Sequence, residues 1–238
     1  MNLVLVARRP GPLAALAEEI RRAHGVETLC LEGDLGDAAF LDVLAASCES
    51  IDLGLLVYNA AHSPIGEFVD LPAADLEKVV DVNVRAPLLL TRALLPAMLT
   101  RGRGGVILMS SLAGMVGPPR VAPYAASKAF NRILAQALWY ELKDTNVDML
   151  ACCAGATRTP GYASASDEDA PGTLNAEDVA EQALRALGRG PTMVPGRVNR
   201  LADIFLNRLV SRRTAVRIMG ASTSGLVHAK AEPTKDPS

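Results

Sequence analysis

The chain predicts an α/β fold, a parallel sheet with helices on both faces, and three observations carry that prediction. Several short runs are almost wholly apolar, as strands covered on both sides must be. Segments with apolar residues three and four apart lie between them, the period of a helix resting on a sheet. The composition, half apolar over 238 residues, suits one domain with a substantial core.

Taken in order, Leu3 to Ala7 reads as a strand and Leu13, Leu16, Ala17 and Ile20 mark one face of the helix after it. Thr28 to Leu31 is the next strand. Asp37 is placed to cap a helix whose buried face carries Phe40, Leu41, Val43 and Leu44. Leu53 to Tyr58 is again a strand. A long helical run follows from about Ala73 to Thr100, with Asn83 near its middle and Pro87 and Pro96 expected to kink or restart it. Val106 to Met109 and Val147 to Cys152 are strands, and between them a helix runs from Tyr124 through Ala135 and Leu138 to Leu142. Asn175 reads as the cap of a helix carrying Val179, Ala183, Leu184 and Leu187. Arg197 to Arg217 interleaves arginines with Leu201, Ile204, Phe205, Leu209 and Val216, an amphipathic face turned to solvent or to another subunit. The Pro/Gly-rich stretches Gly114 to Pro123 and Gly155 to Gly172 read as loops walling a site, so residues 1–230 are expected to form one domain and 231–238 a mobile polar tail.

Net charge of −2 argues against bulk attraction to nucleic acid or anionic lipid. Nothing resembles a signal peptide, since Arg8 and Arg9 interrupt the first apolar run, and Arg92 interrupts the longest candidate for a membrane span. The cytoplasm is the expected location. Cys30, Cys48, Cys152 and Cys153 contain no Cys-x-x-Cys, and His24, His62 and His228 are scattered, so the cysteines read as small buried hydrophobes and no metal site is expected. His62, near the expected mouth of the site, reads as a loop residue.

Tyr124 and Lys128 lie four residues apart and therefore share a helix face. A tyrosine is a poor proton donor or acceptor near neutrality unless a positive charge favours its phenolate, and Lys128 can supply that charge. Ser111, 13 positions before Tyr124, offers a hydroxyl that could orient a carbonyl towards the phenol. Chance alone would give about 0.1 such Tyr/Lys pairs in this composition, so the spacing on its own is only suggestive.

Its setting adds specificity. Val57-Tyr58-Asn59-Ala60-Ala61, Asp81-Val82-Asn83-Val84, Met109-Ser110-Ser111-Leu112-Ala113-Gly114, Tyr124 to Lys128 and Ala154-Gly155-Ala156-Thr157-Arg158-Thr159 follow one another in that order. In this order the chain resembles the short-chain dehydrogenase/reductase family from Asn2 to about Met219. The resemblance implies a Rossmann-like doubly wound parallel sheet in a single domain, moving hydride between NAD(P) and a carbonyl or alcohol. It implies that Tyr124 is the general acid or base and that Lys128 stabilises its phenolate and binds the nicotinamide ribose. It gives Ser111 the task of orienting the carbonyl and Asn83 that of holding a water that links Lys128 to solvent; without the resemblance, an Asn inside a helix would read as satisfying local backbone. Asp34 and Leu35 would contact the adenine, Asn59, Ala60 and Ala61 the adenosine ribose, and Gly155 and Thr159 the nicotinamide. Tyr58, Ala61 and Ala154 depart from the residues usual at their positions.

The family opens with a strand and a Thr-Gly-x-x-x-Gly-x-Gly turn, and no such turn stands here. Met1 to Arg9 reads as the family's second strand, so the first βα unit is expected to be lacking, which would leave the flanking strands with unpaired backbone groups costing about 1–3 kcal/mol each when buried. A start further upstream is the preferred explanation, over a sheet that closes up or a replacement strand; the glycines of Met219 to Leu226 are read as coincidence. Arg8 and Arg9 follow what reads as the family's second strand, where arginine suits a 2′-phosphate, so NADP is preferred to NAD, the alternative being surface residues of a turn. The expected function is an NADP-dependent oxidoreductase for a small or medium apolar carbonyl or alcohol, working as a homodimer or homotetramer through the helices carrying Asn83 and Tyr124. The alternative is a binding or scaffold protein with vestigial catalytic residues.

Overall fold

The computed structural model describes residues 1–163 and 169–223, so His228, the expected tail and the end of the Met219 to Leu226 stretch lie outside the described residues. The chain runs β1 (Leu3–Ala7), α1 (Pro10–His24), β2 (Thr28–Glu32), α2 (Ala38–Glu49) and β3 (Leu55–Tyr58). It continues through α3 (Ala73–Val80), a π-helical segment (Asp81–Arg85), α4 (Ala86–Arg101), β4 (Gly104–Ser111), α5 (Ala113–Val116), α6 (Ala122–Glu141) and β5 (Val147–Ala154). After β5 come β6 (Thr157–Arg158), α7 (Pro160–Ala163), β7 (Leu174–Asn175), α8 (Ala176–Ala186), β8 (Thr192–Met193), α9 (Arg197–Ile204), a second π-helical segment (Phe205–Leu209) and α10 (Arg212–Thr223).

The main sheet is parallel and alternates with helices as expected. β4 and β5 form its centre, in register from Gly104↔Val147 to Ser111↔Ala154, with β3 and β8 outside them. Alternate residues of these two strands enter opposite layers. Val106, Leu108, Met149, Ala151 and Cys153 pack with Leu41, Leu44, Leu90, Leu94 and Met98 of α2 and α4. Ile107, Leu150 and Cys152 pack with Val179 and Ala183 of α8. Each fully buried large side chain here contributes about 1.5–3 kcal/mol, which makes the β4–β5 pair the anchor of the fold.

The expectation of a lacking N-terminal strand is not supported: the element order opens with a strand, β1, paired along its whole length with β2. What the structure shows is a division. β1 and β2 form a two-stranded sheet of their own, and the four-stranded sheet begins at β3, with no ladder joining β1 to β3. The two parts point the same way. Gly36, past the end of β2, lies against Asp81 and Val82, and the Tyr58 hydroxyl at the end of β3 donates to the Val82 carbonyl.

The prolines of the long helix act differently from each other: Pro87 restarts the run as expected, and Pro96 does not. Pro96 is accommodated inside α4, while Pro87 opens it and follows the π segment. Ala86 donates to the Asp81 carbonyl, five residues back, and Pro87 has no N–H to give. That leaves the Val82 carbonyl without a helical donor, and Tyr58 supplies one. Pro87 equally deprives Asn83 of its i+4 partner, and Asn131 Nδ2 donates to the Asn83 carbonyl at 3.0 Å. By length and composition alone the run Ala73–Arg101 could cross a membrane, an allowance that stopping at Arg92 did not make; 44% of its most apolar stretch is buried inside the protein.

The Arg-rich segment is helical, and its apolar residues are turned outward as expected: Leu201 and Leu209 are 68% and 71% exposed. Arg212 Nη1 donates to the Met115 carbonyl at 2.6 Å and Asn207 lies on the Met115 sulfur, which ties this segment to α5.

Candidate active site

The functional residues gather beyond the carboxyl ends of the strands, where open α/β sheets bind ligands. Ser111 ends β4, and Gly155 is one residue past its register partner Ala154. α6 is held across this end by Ser110 of β4, and Ser127 bonds back within the helix. Ser110 Oγ donates to the Lys128 carbonyl at 2.7 Å, and Ser127 Oγ to the Tyr124 carbonyl at 2.7 Å. Gly114 permits the close approach of α5 to α6: a Cβ there would stand 2.7 Å from the Ala129 nitrogen and the Lys128 carbonyl carbon, both backbone atoms that cannot yield.

Within this frame Ser111, Tyr124 and Lys128 come together. The Tyr124 phenol is raised above its ordinary pKa by burial, and a hydrogen bond with the Ser111 side chain opposes that rise. Lys128 Nζ lies 5.5 Å from the centre of the Tyr124 ring. It donates to the Met109 carbonyl at 2.7 Å and is 3% exposed, so burial lowers its pKa to about 8. Burial, more than the lysine charge on which the sequence reading relied, dominates the phenol. Lys128 remains a buried cation bonded to a neutral carbonyl, with donors to spare for hydroxyl groups.

Asn83 joins the same cluster, but its contacts are those of a clamp. Its Nδ2 donates to the His62 carbonyl at 2.8 Å and to Ser127 Oγ at 3.0 Å, and its Oδ1 accepts from the His62 N–H at 2.7 Å. Asn83 thus fixes the loop after β3 to the helix carrying Tyr124 and Lys128. His62 in turn bonds Asp75 through Nε2 at 2.8 Å. Tyr58, Asp75, Ser127 and Asn131 were missed as site residues, since each has a partner remote in sequence; the motif break at Tyr58 and the place of Ser127 within the Tyr124 to Lys128 motif were the available signals.

At the other end of the crevice Arg8 and Asp34 meet at 3.8 Å. The Gly36 N–H donates to Asp34 Oδ1 at 2.9 Å, and with Lys78 at 3.4 Å and Arg8 it holds the carboxyl below its usual range despite partial burial. Lys78 is a second cation here that sequence reasoning did not name. Arg9 stands exposed as the N-cap residue of α1, and Leu35 packs against the main core. Asn59 and Ala61 are exposed past β3, with Ala60 half-buried between them. Gly155 faces Asn199, whose side chain a Cβ would meet at 2.8 Å, and Thr159 Oγ1 accepts from the Tyr162 N–H at 3.1 Å.

A dinucleotide fits one end of this arrangement. Lys128 with its spare donors, beside Ser111 and Tyr124, suits a ribose and a reacting carbonyl. The phosphate end does not fit in the same way. The turn from β1 enters α1 through Pro10-Gly11-Pro12, and the prolines remove two of the first three N–H groups with which a helix N-terminus would hold a pyrophosphate.

An α/β sheet with a Ser, Tyr and Lys converging at its carboxyl end defines a carbonyl/alcohol oxidoreductase. Residues 1–170 match the family model for short chain dehydrogenases, and the chain belongs to that family as an NAD(P)-dependent enzyme. It is 30% identical over 203 residues to a 7beta-hydroxysteroid dehydrogenase of Clostridium sardiniense, covering 84% of this chain and 78% of that protein. It is 35% identical over 150 residues to a very-long-chain 3-oxoacyl-CoA reductase of Laccaria bicolor, a match covering 61% of this chain and 44% of that longer one. A structure from work on the stereoselectivity of 7beta-hydroxysteroid dehydrogenase superposes with a TM-score of 0.85 at 28% identity, covering 92% of this chain and 87% of the other. A short-chain dehydrogenase of Sphingobium yanoikuyae in complex with NADPH gives 0.73 at 30% identity, covering 82% and 77%.

Proposed function

We propose that the protein is an NADP-dependent oxidoreductase interconverting a ketone and a secondary alcohol on an apolar substrate. The convergence of Ser111, Tyr124 and Lys128 carries this reading. Two relatives support the substrate class through their names, one a 7beta-hydroxysteroid dehydrogenase and one a very-long-chain 3-oxoacyl-CoA reductase. Arg8 and Arg9 after β1, and Lys78 of α3 beside Asp34, support NADP, as does the NADPH complex of a relative. When bound, the nicotinamide supplies or accepts the hydride. Ser111 donates a hydrogen bond to the substrate oxygen and aims it at Tyr124. The Tyr124 phenol gives its proton to that oxygen in reduction and takes it back in oxidation, and the Lys128 cation stabilises the phenolate left behind. Exposed apolar faces of the long helix and α6, at Val80, Leu88, Ile133 and Tyr140, support pairing of two copies.

The test is NADPH fluorescence titration of the purified protein, followed by NADPH consumption with hydroxysteroid ketones and other bulky ketones. Tyr124→Phe is expected to abolish turnover while NADPH affinity stays within about twofold, because the phenol acts on the proton and not on cofactor binding. Retained turnover refutes the assignment. A second reading, a binding protein with idle catalytic residues, rests on the proline-rich start of α1 and requires that NADPH fail to bind even at millimolar concentration.

A further inference from the structure

We propose that Asn199, the third residue of α9, is a positioning residue of the oxidoreductase site: its side chain fixes where the chain leaving β5 runs at Gly155 and where it returns at Gly172. This role rests on the function proposed above and adds a residue to it. Asn199 is 4% exposed and lies outside the motifs that carry Ser111, Tyr124 and Lys128. A buried amide must be bonded, and its partners show what it holds. Nδ2 donates to the Gly172 carbonyl, 27 residues away, at 3.0 Å and to the Pro195 carbonyl, just ahead of α9, at 3.0 Å.

Three glycines from three segments close on this one amide. A Cβ on Gly155 would find its three nearest atoms all in the Asn199 side chain, at 2.8 to 3.0 Å. One on Gly172 would stand 2.4 Å from Oδ1, and one on Gly196 would stand 3.4 Å from Nδ2. Gly172 and Gly196 have φ of +85° and +83°, which favours glycine by itself, but Gly155 does not lie in that region, so Asn199 is what a side chain there would strike. The amide is anchored on its far side. The Gly196 N–H donates to Gln182 Oε1 of α8 at 3.0 Å, and α8 packs through Val179 and Ala183 on Ile107, Leu150 and Cys152 of the main sheet. Asn199 therefore carries the rigidity of that sheet to Gly155 and Gly172. Gly155 directly follows Ala154, the register partner of Ser111, so a shift at Gly155 moves the place the family pattern gives to the nicotinamide relative to Ser111 and Tyr124. Displacements of about 1 Å between reacting groups can cost about 100-fold in rate.

The test is Asn199→Ala in the whole chain, read first without cofactor. Amide hydrogen exchange at Thr173 and Leu174, which donate to the Ala170 and Ala156 carbonyls, should quicken about 10-fold or more while amides in the middle of β5 keep their rates. With NADPH, kcat for ketone reduction should fall about 10-fold or more while NADPH affinity stays within about twofold, because the adenine end is untouched. Gly155→Ala drives the amide aside without emptying the core; it should quicken the same two amides, and its loss of kcat should add little to that of Asn199→Ala, where room for the methyl exists. A parent that neither binds NADPH nor reduces ketones defeats the proposed function itself. A working parent overturns the assignment of Asn199 alone if Asn199→Ala keeps its kcat, if the β5 amides quicken as much as Thr173 and Leu174, as a general loss of stability would cause, or if the losses of the two substitutions simply add.

Discussion

Lys128 holds its charge against its surroundings. Burial brings its pKa from the usual 10.5 to about 8, and among the described residues no carboxylate pairs with the side chain to offset that. Between those two values the unfolded chain binds more protons than the folded one, so stability rises with pH across that window and the full penalty, about 3 kcal/mol, applies below pH 8. Lys128→Met is therefore expected to melt at a higher temperature than the parent at pH 7, with the gain fading as pH climbs past 8, and to be catalytically dead. A lower melting temperature at pH 7 would mean that the Met109 carbonyl bond outweighs desolvation. Tyr124 and Lys128 were legible because their spacing of four is a local property of a helix. The raised phenol was not, because burial depends on what the rest of the chain brings over it.

At the scale of elements, the π segment shows how a proline shapes the site. Pro87 and the shifted Ala86 bond leave the Val82 carbonyl to Tyr58, whose hydroxyl is buried and whose pKa burial drives upward. Tyr58→Phe should thus cost about 1–3 kcal/mol, the desolvation of an unpaired carbonyl, measurable as a lower denaturation midpoint at unchanged slope. The position was visible in the sequence only as a departure from a motif, since its partner lies 24 residues away. Asn83 has the same history: the motif marked it, while its bonds to His62, Ser127 and Asn131 span 21 to 48 residues. Local chemistry read well by contrast. Asp37 caps α2 by accepting from the Ala39 N–H at 2.9 Å, whereas Asn175 precedes α8 without a side-chain cap and bonds Asp178 at 3.3 Å. The short strands β6, β7 and β8, two residues each, carry too little periodicity to be read.

Over the whole molecule, the division of the sheet implies two levels of stability. β4 and β5 are buried on both faces and paired on both edges, while β1 and β2 share one ladder and pack on α1. Native-state hydrogen exchange should accordingly find β1 and β2 opening at a lower free energy than β4 and β5; a single value throughout would show that the division does not weaken cooperativity. The strands themselves were readable from apolar runs, and their grouping was not, because pairing is a relation between distant segments. The four thiols turn this layering into a clock. Cys30 is half-buried on β2, Cys48 lines the gap between β1 and β3, and Cys152 and Cys153 point into opposite layers of β5, fully buried, with burial pushing them to about 12 and 11. An alkylating reagent added to the native protein should mark Cys30 first, Cys48 as that gap breathes, and the β5 pair last and together, so that mass spectrometry of one sample over time reads the order in which the molecule comes apart.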